Sequence, residues 1–462
     1  MKNIKLIPFI NSEKTALKSL SLVVGLRMLG LFMLLPVLAL YADEFRNSTP
    51  TLIGIAIGIY GLTQAILQIP FGMASDKIGR KKVIVFGLII FALGSVIAAQ
   101  AESISTLIIG RALQGSGAIS AVSMALLADL TREEVRVRAM ASIGITIGFS
   151  FIIAIVLGPL LNSFIGVAGI FWLTAILAIL AIALVIFLVP RPIIGQTHSD
   201  AQTNLGQLSK VVKNTELLRL DFGVFALHMA LTAIFVSIPH LLQDQLNLEA
   251  DWHGLLYLAV MIISVVIMLP MVIIAEAKNK MKPIFVAAVA LLALSQLGFY
   301  FLANSLMLMA ALLVVFFVAF NVLESVLPSL ISKTAPVNAK GTAMGVYGSS
   351  QFFGAFVGGV LGGWLIEQSQ DFHSSFLLTF VILSIWFLVS FFMKKPSSLG
   401  TMLINVGIIN QMSANDLSKK LIAIKGVEEV VISPEEGVAF VRINNKTIDR
   451  NKLLVYSKNK FD

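Results

Sequence analysis

Four ionisable residues lie inside stretches of sequence apolar enough to cross a bilayer: Arg27, Arg111, His228 and Glu324. An arginine at the centre of a membrane helix costs about 2.5 to 3.5 kcal/mol on insertion scales, so each must face a polar interior or a partner. A guanidinium does not give up its proton, but it changes the proton affinity of an acid beside it. A carboxylate such as Glu324 can take and release protons, and an imidazole such as His228 can do so near neutral pH. Proton handling inside a membrane is therefore the chemistry these residue types permit. Structural readings stand beside it: Glu324 as an ion pair with Arg27 or another cation, Arg111 as a hydrogen-bonding strut, and His228 as a packed core side chain. Asn321 lies one turn before Glu324 and Pro328 one turn after. Tyr60, Gln64 and Gln68 repeat every four residues, which puts them on one helical stripe suited to a cavity wall or to bonds between helices.

The elements that must hold these groups are transmembrane helices. The chain is 57% hydrophobic and 13% charged, which excludes a soluble domain and a disordered segment. A hydrocarbon core about 30 Å thick needs roughly 20 apolar residues per helix. Twelve segments qualify, near 16–41, 50–74, 83–100, 105–129, 138–161, 166–189, 217–243, 252–275, 281–302, 305–332, 340–366 and 372–394. Lys and Arg crowd the amino terminus and alternate loops, while the opposite loops hold Arg46 alone together with Asp43, Glu44, Glu102, Asp244, Glu249, Asp251, Glu367 and Asp371. The positive-inside rule then puts both termini in the cytoplasm and requires an even number of spans. The net charge of +9 faces anionic lipid, and nucleic acid is not an expected partner. With no cysteine, disulfides, thiol catalysis and cysteine metal sites are excluded. The first span is expected to act as an uncleaved insertion signal.

Two six-span groups, 1–189 and 217–396, flank a polar connector, 190–216, containing Pro190, Pro192, Gly195, His198, Asp200 and Gln202. Leu205, Leu208, Val211 and Val212 recur there at helical spacing, as in a helix on the inner membrane face or an ordinary linker helix. A shift of 200 residues sets Glu276 over Asp76, Lys280 over Arg80 and Lys282 over Lys82, so the halves read as parallel repeats, a transporter architecture. Beyond Lys394 and Lys395, residues 397–462 read as a small soluble domain. Strands are expected at Thr401–Ile409, Val427–Ser433 and Gly437–Ile443, with helices at Ala414–Ile424 and Asp449–Ser457. That order suggests a ferredoxin-like plait, without a visible last strand and without the paired cysteines of soft-metal carriers.

Three motifs carry a family resemblance. Gly72-Met-Ala-Ser-Asp76-Lys-Ile-Gly79-Arg80-Lys-Lys82, between the second and third spans, resembles the signature loop of the major facilitator superfamily. Arg111-Ala-Leu-Gln114-Gly-Ser-Gly117 resembles its motif B, and Gly144, Gly148, Gly158 and Pro159 resemble the antiporter motif C, although Leu160 and Leu161 replace the glycines usual after the proline. The chain is similar to the drug/proton antiporter branch of that superfamily. The resemblance implies twelve helices in two pseudo-symmetric bundles, an all-α membrane fold with the α+β tail appended. It implies an ionic latch in which Arg80 pairs with Asp129 and Asp76 meets the start of the eleventh span near Gly341. It also implies that the fifth span lies at the interface of the halves. The implied activity is export of a small apolar or amphipathic solute in exchange for protons, by a monomer in the bacterial inner membrane. No enzyme chemistry, cofactor or metal is expected, the proton gradient supplying the energy. A facilitator or proton symporter of the same fold, and a membrane sensor signalling to a cytosolic ligand or partner through the tail, are the alternatives.

Overall fold

The computed structural model describes residues 8–41, 44–191, 205–278, 280–336, 339–393, 399–407, 410–434, 437–444, 447–449, 452–453 and 455–457. The polar part of the connector, Asp43, Lys394 and Lys395 lie outside the described residues, as do 435 and 436 of the expected tail turn.

Among the described residues, ten helices are long and apolar enough to cross a membrane. In order, the helical elements are α1 (Asn11–Phe32), α2 (Leu35–Tyr41), α3 (Pro50–Ile78), α4 (Arg80–Ala99), α5 (Ile104–Ser116), α6 (Ser120–Asp129) and α7 (Glu133–Phe187), followed by α8 (Leu205–Val212) and α9 (Thr215–His240). A π-helical turn, Leu241–Gln245, extends α9, and α10 (Ala250–Ala277), α11 (Met281–Leu302), α12 (Leu306–Thr334), α13 (Lys340–Ser369) and α14 (Ser374–Phe391) complete the membrane part. Polar side chains fix several starts: Thr49, Ser103 and Ser305 accept the N–H of the third residue beyond, and Asn214 caps α9.

The local chain explains where elements differ from the expected spans. The stretch around Asp76 is helix rather than loop, because nothing from Gly72 to Ile78 opposes helix; α3 runs to Ile78 and only Gly79, at φ +102, separates it from α4. The first span breaks at Met33–Leu34 into α1 and α2. The fourth breaks at Gly117, which presses so closely on α4 that an added Cβ would lie 2.3 Å from the Gly87 carbonyl oxygen. Helix α7 spans 55 residues, about 80 Å at 1.5 Å per residue, and turns at Gly166, which holds φ +67 and ψ 177.

The apolar cores follow the two halves. One surrounds α9–α14 with Phe285, Phe316, Phe317 and Trp386, and two others fill α1–α7 around Phe91 and Phe171. Between the halves, α3 and α13 run antiparallel with backbones in contact. An added Cβ at Gly363 would sit 2.1 Å from the Pro50 carbonyl, at Gly54 2.1 Å from that of Gly359, at Gly58 2.7 Å from that of Phe356 and at Gly61 2.4 Å from that of Phe352. The seam continues to Ser349, whose hydroxyl donates to the Ala65 carbonyl at 2.9 Å, and to Gly348, which faces the Gln68 amide. At the end remote from Arg80, His240 Nε2 reaches the Ala39 carbonyl at 3.0 Å, and the Thr51 N–H donates to Glu367 at 3.0 Å.

The tail forms β1 (Leu399–Asn405), α15 (Gln411–Ile422), β2 (Val427–Ser433) and β3 (Val438–Asn444), an antiparallel sheet in the order β1-β3-β2. Its core joins Ile404, Leu421, Ala439, Val441 and Ile443. Of the expected helix over Asp449–Ser457, residues 450, 451 and 454 lie outside the described residues, and Lys452 and Leu453 are helical. The Arg442 guanidinium bonds Glu429 at 3.1 Å and donates to the Lys333 carbonyl in the last turn of α12, which ties the tail to that helix.

Candidate functional site

Buried polar groups collect in two clusters, one in each half, on either side of the α3–α13 seam. In the first, α1 supplies Arg27, whose guanidinium donates to the Tyr60 hydroxyl at 2.8 Å, the Gln64 side-chain oxygen at 2.8 Å, the Gly117 carbonyl at 2.9 Å and the Ser120 hydroxyl at 3.0 Å. The break between α5 and α6 makes this geometry possible, since it exposes Gly117 O and starts a new helix at Ser120. Gln64 passes the chain on to Gln68, its amide 3.5 Å from the Gln68 oxygen. Arg111 on α5 donates to the Ala56 and Ile57 carbonyls of α3 and to Gln114 at 2.9 Å, and Gln114 donates to Ser95 at 2.7 Å. The guanidinium carbons of Arg27 and Arg111 lie 5.9 and 5.3 Å from the centre of the Tyr60 ring, which thus stacks against two cations. These hydrogen bonds of Arg27 and Arg111 all run to neutral acceptors.

The second cluster is acidic. His228 on α9 bonds the Val224 carbonyl through Nδ1 at 3.1 Å and meets the Gln351 amide of α13 at 2.8 Å through Nε2. If the amide donates, Nε2 carries the lone pair and Nδ1 the proton, a neutral tautomer assigned from the network. Glu324 on α12 lies 3.8 Å from His228 Nε2. Its Oε2 has no hydrogen bond, nor does Asn321 Nδ2 one turn away. The structural pairing of Glu324 is thus with His228 on α9 and not with Arg27, which is committed to the first cluster. Within these two clusters charge is divided: Arg27 and Arg111 come from α1 and α5, Glu324 and the His228 imidazole from α12 and α9.

At the Arg80 end, the guanidinium holds Asp129 at 3.1 Å, the Ser75 hydroxyl at 2.7 Å and the Asp76 carboxylate one turn before it. Ser75 in turn donates to the Gly72 carbonyl at 2.6 Å. Gly79 makes this fold-back possible, since its positive φ ends α3 and starts α4 within one residue. Asp76 is engaged by Arg80 within its own half. Continuing the α3–α13 register beyond Gln68 and Gly348 sets Gly72 across from Met344 and Gly345, and Asp76 across from Gly341, at the first turn of α13. The repeat copies differ: Glu276 and Lys280 are exposed.

The expected interface glycines of α7 divide. An added Cβ at Gly144 or Gly148 meets open space, so Gly148 provides no close approach. Gly158 does, 2.3 Å from the Met33 carbonyl, but within its own half, and Pro159 follows it inside the helix. The contact of α7 with the other half comes instead through Gly254 of α10, whose added Cβ would lie 2.7 Å from the Val156 carbonyl.

Sequence reasoning passed over Ser120 and Gln351, single polar residues without periodic partners, and two groups near the second cluster. Asp221 on α9 is 5% exposed with both carboxylate oxygens unbonded, and Tyr347 on α13 is 5% exposed with an unbonded hydroxyl. Asp221 could have been found as an acid in the second turn of a span.

Residues 20–359 and 220–402 match the model of the Major Facilitator Superfamily. The chain belongs to the major facilitator superfamily. It is 44% identical over 451 residues to the inner membrane transport protein YajR of Escherichia coli K12, covering 97% of this chain and 98% of that protein. It is 25% identical over 377 residues to the multidrug resistance protein MdtH of Aeromonas salmonicida, covering 80% and 94%. Among solved structures, a bacterial homologue of the lysosomal transporter Spinster, inward-facing and occupied, superposes with TM-score 0.69 at 12% identity over 84% of this chain and 98% of that one. The motif resemblance to the drug/proton branch and to YajR therefore holds. This major facilitator protein is a multi-pass membrane transporter.

Proposed function

We propose that this transporter exports a small apolar or amphipathic solute in exchange for protons, by alternating access between its two halves. The observation that supports it best is the division of charge between the two clusters: a Glu324–His228 pair on α12 and α9, across a glycine seam from Arg27 and Arg111, whose bonds described above run to neutral groups. A proton arriving at Glu324 removes a negative charge from the second half, and this changes the electrostatic attraction between the halves. The likeness to the multidrug resistance protein MdtH supports efflux. No cofactor is required beyond the proton gradient.

In this reading the membrane part crosses twelve times. α1 with α2 makes one crossing, α5 with α6 another, and α7 makes two about its Gly166 turn. Both termini are cytoplasmic, in the inner membrane, so the Arg80 end faces inward. The seam is held at the outer end by Glu367 and His240, and Asp76 pairs with Arg80. The α3–α13 register directs the Asp76 carboxylate to the α13 amino terminus near Gly341, where the helix dipole favours an anion and the latch would be complete. In this reading the tail, with its β1, α15, β2 and β3, belongs to a ferredoxin-like plait, and its bond to α12 supports a regulatory part for it, through a cytosolic ligand or partner.

The test is reconstitution into liposomes with an imposed pH gradient and a panel of amphipathic dyes, ethidium among them. Wild type should move a dye against its gradient when the acidic side is the side it is exported to. Glu324→Gln and Asp76→Asn should both be impaired, the first in coupling and the second in turnover. Movement of the dye in the same direction as protons would favour a symporter, and wild-type coupling in Glu324→Gln would remove that residue as the carrier.

A further inference from the structure

The acidic cluster extends beyond Glu324 toward the Arg80 end of the molecule. Counting at 1.5 Å per residue from the nearest helix ends, Asp221 lies about 9 Å in along α9 and Tyr347 about 10 Å in along α13, while Glu324 lies about 15 Å in and His228 about 20 Å in. Asp221 is buried with both oxygens unbonded, and the Tyr347 hydroxyl is buried and unbonded as well. Tyr347 stands one turn before Gln351 on α13 and Asp221 two turns before His228 on α9, so both lie on the helix faces that the Gln351–His228 contact brings together. A buried carboxylate without donors is costly in a merely structural role, since its desolvation is not offset by any hydrogen bond.

Among the described residues no cation is bonded to the Asp221 carboxylate. Tyr347 comes from α13, Glu324 from α12 and the Trp386 ring, close against Gly223, from α14, while Lys210 and Lys213 of and beside α8 are exposed. On α9 itself Arg219 is paired to Glu216 at 2.8 Å, and His228 is bonded to Gln351.

Resting on the antiport reading above, we propose that Asp221 is a second proton carrier, which exchanges protons with Glu324 through the Tyr347 hydroxyl. In the inward step Glu324 gives its proton to the Tyr347 oxygen as the phenol proton passes to Asp221. Glu324 ends as a carboxylate, Asp221 as the acid, and Tyr347 is unchanged. Asp221 then releases the proton at the Arg80 end, and the ladder is reset when Glu324 is protonated from the other side.

Two measurements test this. In ethidium-loaded proteoliposomes, Asp221→Asn should lower gradient-driven flux by about a hundredfold, the scale of losing a proton-transfer group, while exchange of labelled ethidium at equal pH is retained. Tyr347→Phe should show the same split and Asp221→Glu should restore coupling. In pH-difference infrared spectra of the purified protein, which need no solute, Asp221→Asn should delete one buried-carboxyl band and Glu324→Gln another. The proposal is overturned if Asp221→Asn keeps gradient-driven flux, if it loses both modes while eluting and melting as wild type does, or if no band belongs to Asp221. Should wild type move no ethidium under a pH gradient, the antiport reading fails, and the infrared band still decides whether Asp221 takes up protons.

Discussion

At the scale of single residues, the first cluster is a set of acceptors organised by one guanidinium. Replacing Arg27 by Ala would leave the Tyr60, Gln64, Gly117 and Ser120 acceptors without their donor and should cost about 1 to 3 kcal/mol, seen as a lower melting temperature in detergent. Arg27→Lys should recover part of this, since a single ammonium cannot reproduce the four-way fork. Gly79 sits at φ +102, and Gly79→Val should cost about 1 to 2 kcal/mol and loosen the Arg80 grip on Asp76. The Tyr60, Gln64 and Gln68 stripe was legible because a helix repeats its faces every four residues, and all three are buried on that face. The acceptors at Gly117 and Ser120 were not, since they depend on a helix break whose cause is the close approach of α4. Asp221 was hidden for a different reason: near the end of a span an acid reads as an interfacial group, and only packing shows that it is enclosed.

At the scale of elements, glycine content alone does not say which helices meet. The Gly-rich pattern of α7 suggested an interface, yet its inner glycines face open space and the closest contacts between halves belong to α3 and α13. Gly148→Val should therefore leave folding unchanged, whereas Gly158→Val, colliding with the Met33 carbonyl, should destabilise by about 1 to 3 kcal/mol. Gly54→Val should be harsher for function than for folding, because it pushes apart the seam against Gly359 at one end. Flux measured alongside melting temperature separates the two effects. The positions of the long apolar helices, α3, α4 and α9–α14 among them, were readable from hydropathy to within a few residues, because lipid leaves an apolar helix few alternatives. The breaks at Met33–Leu34 and Ser116–Ser120 were not, because nothing in a window of apolar residues marks where a backbone bends to fit its neighbour.

At the scale of the whole molecule, the bond from Arg442 to the last turn of α12 connects the soluble tail to the helix that carries Glu324. Arg442→Ala should free the tail, and limited trypsin digestion should then release it faster than from wild type, with the membrane part unchanged. The central claim is that the halves rock about the α3–α13 seam in response to protonation. Because the chain has no cysteine, spin labels can be placed cleanly in Lys77→Cys with Lys278→Cys at the Arg80 end, and in Gln100→Cys with Gln370→Cys at the other. Electron–electron distance measurements across a change of pH should show the two separations moving in opposite senses, and Glu324→Gln should abolish the response. Distances that stay fixed at both ends, or that grow and shrink together, would contradict the account.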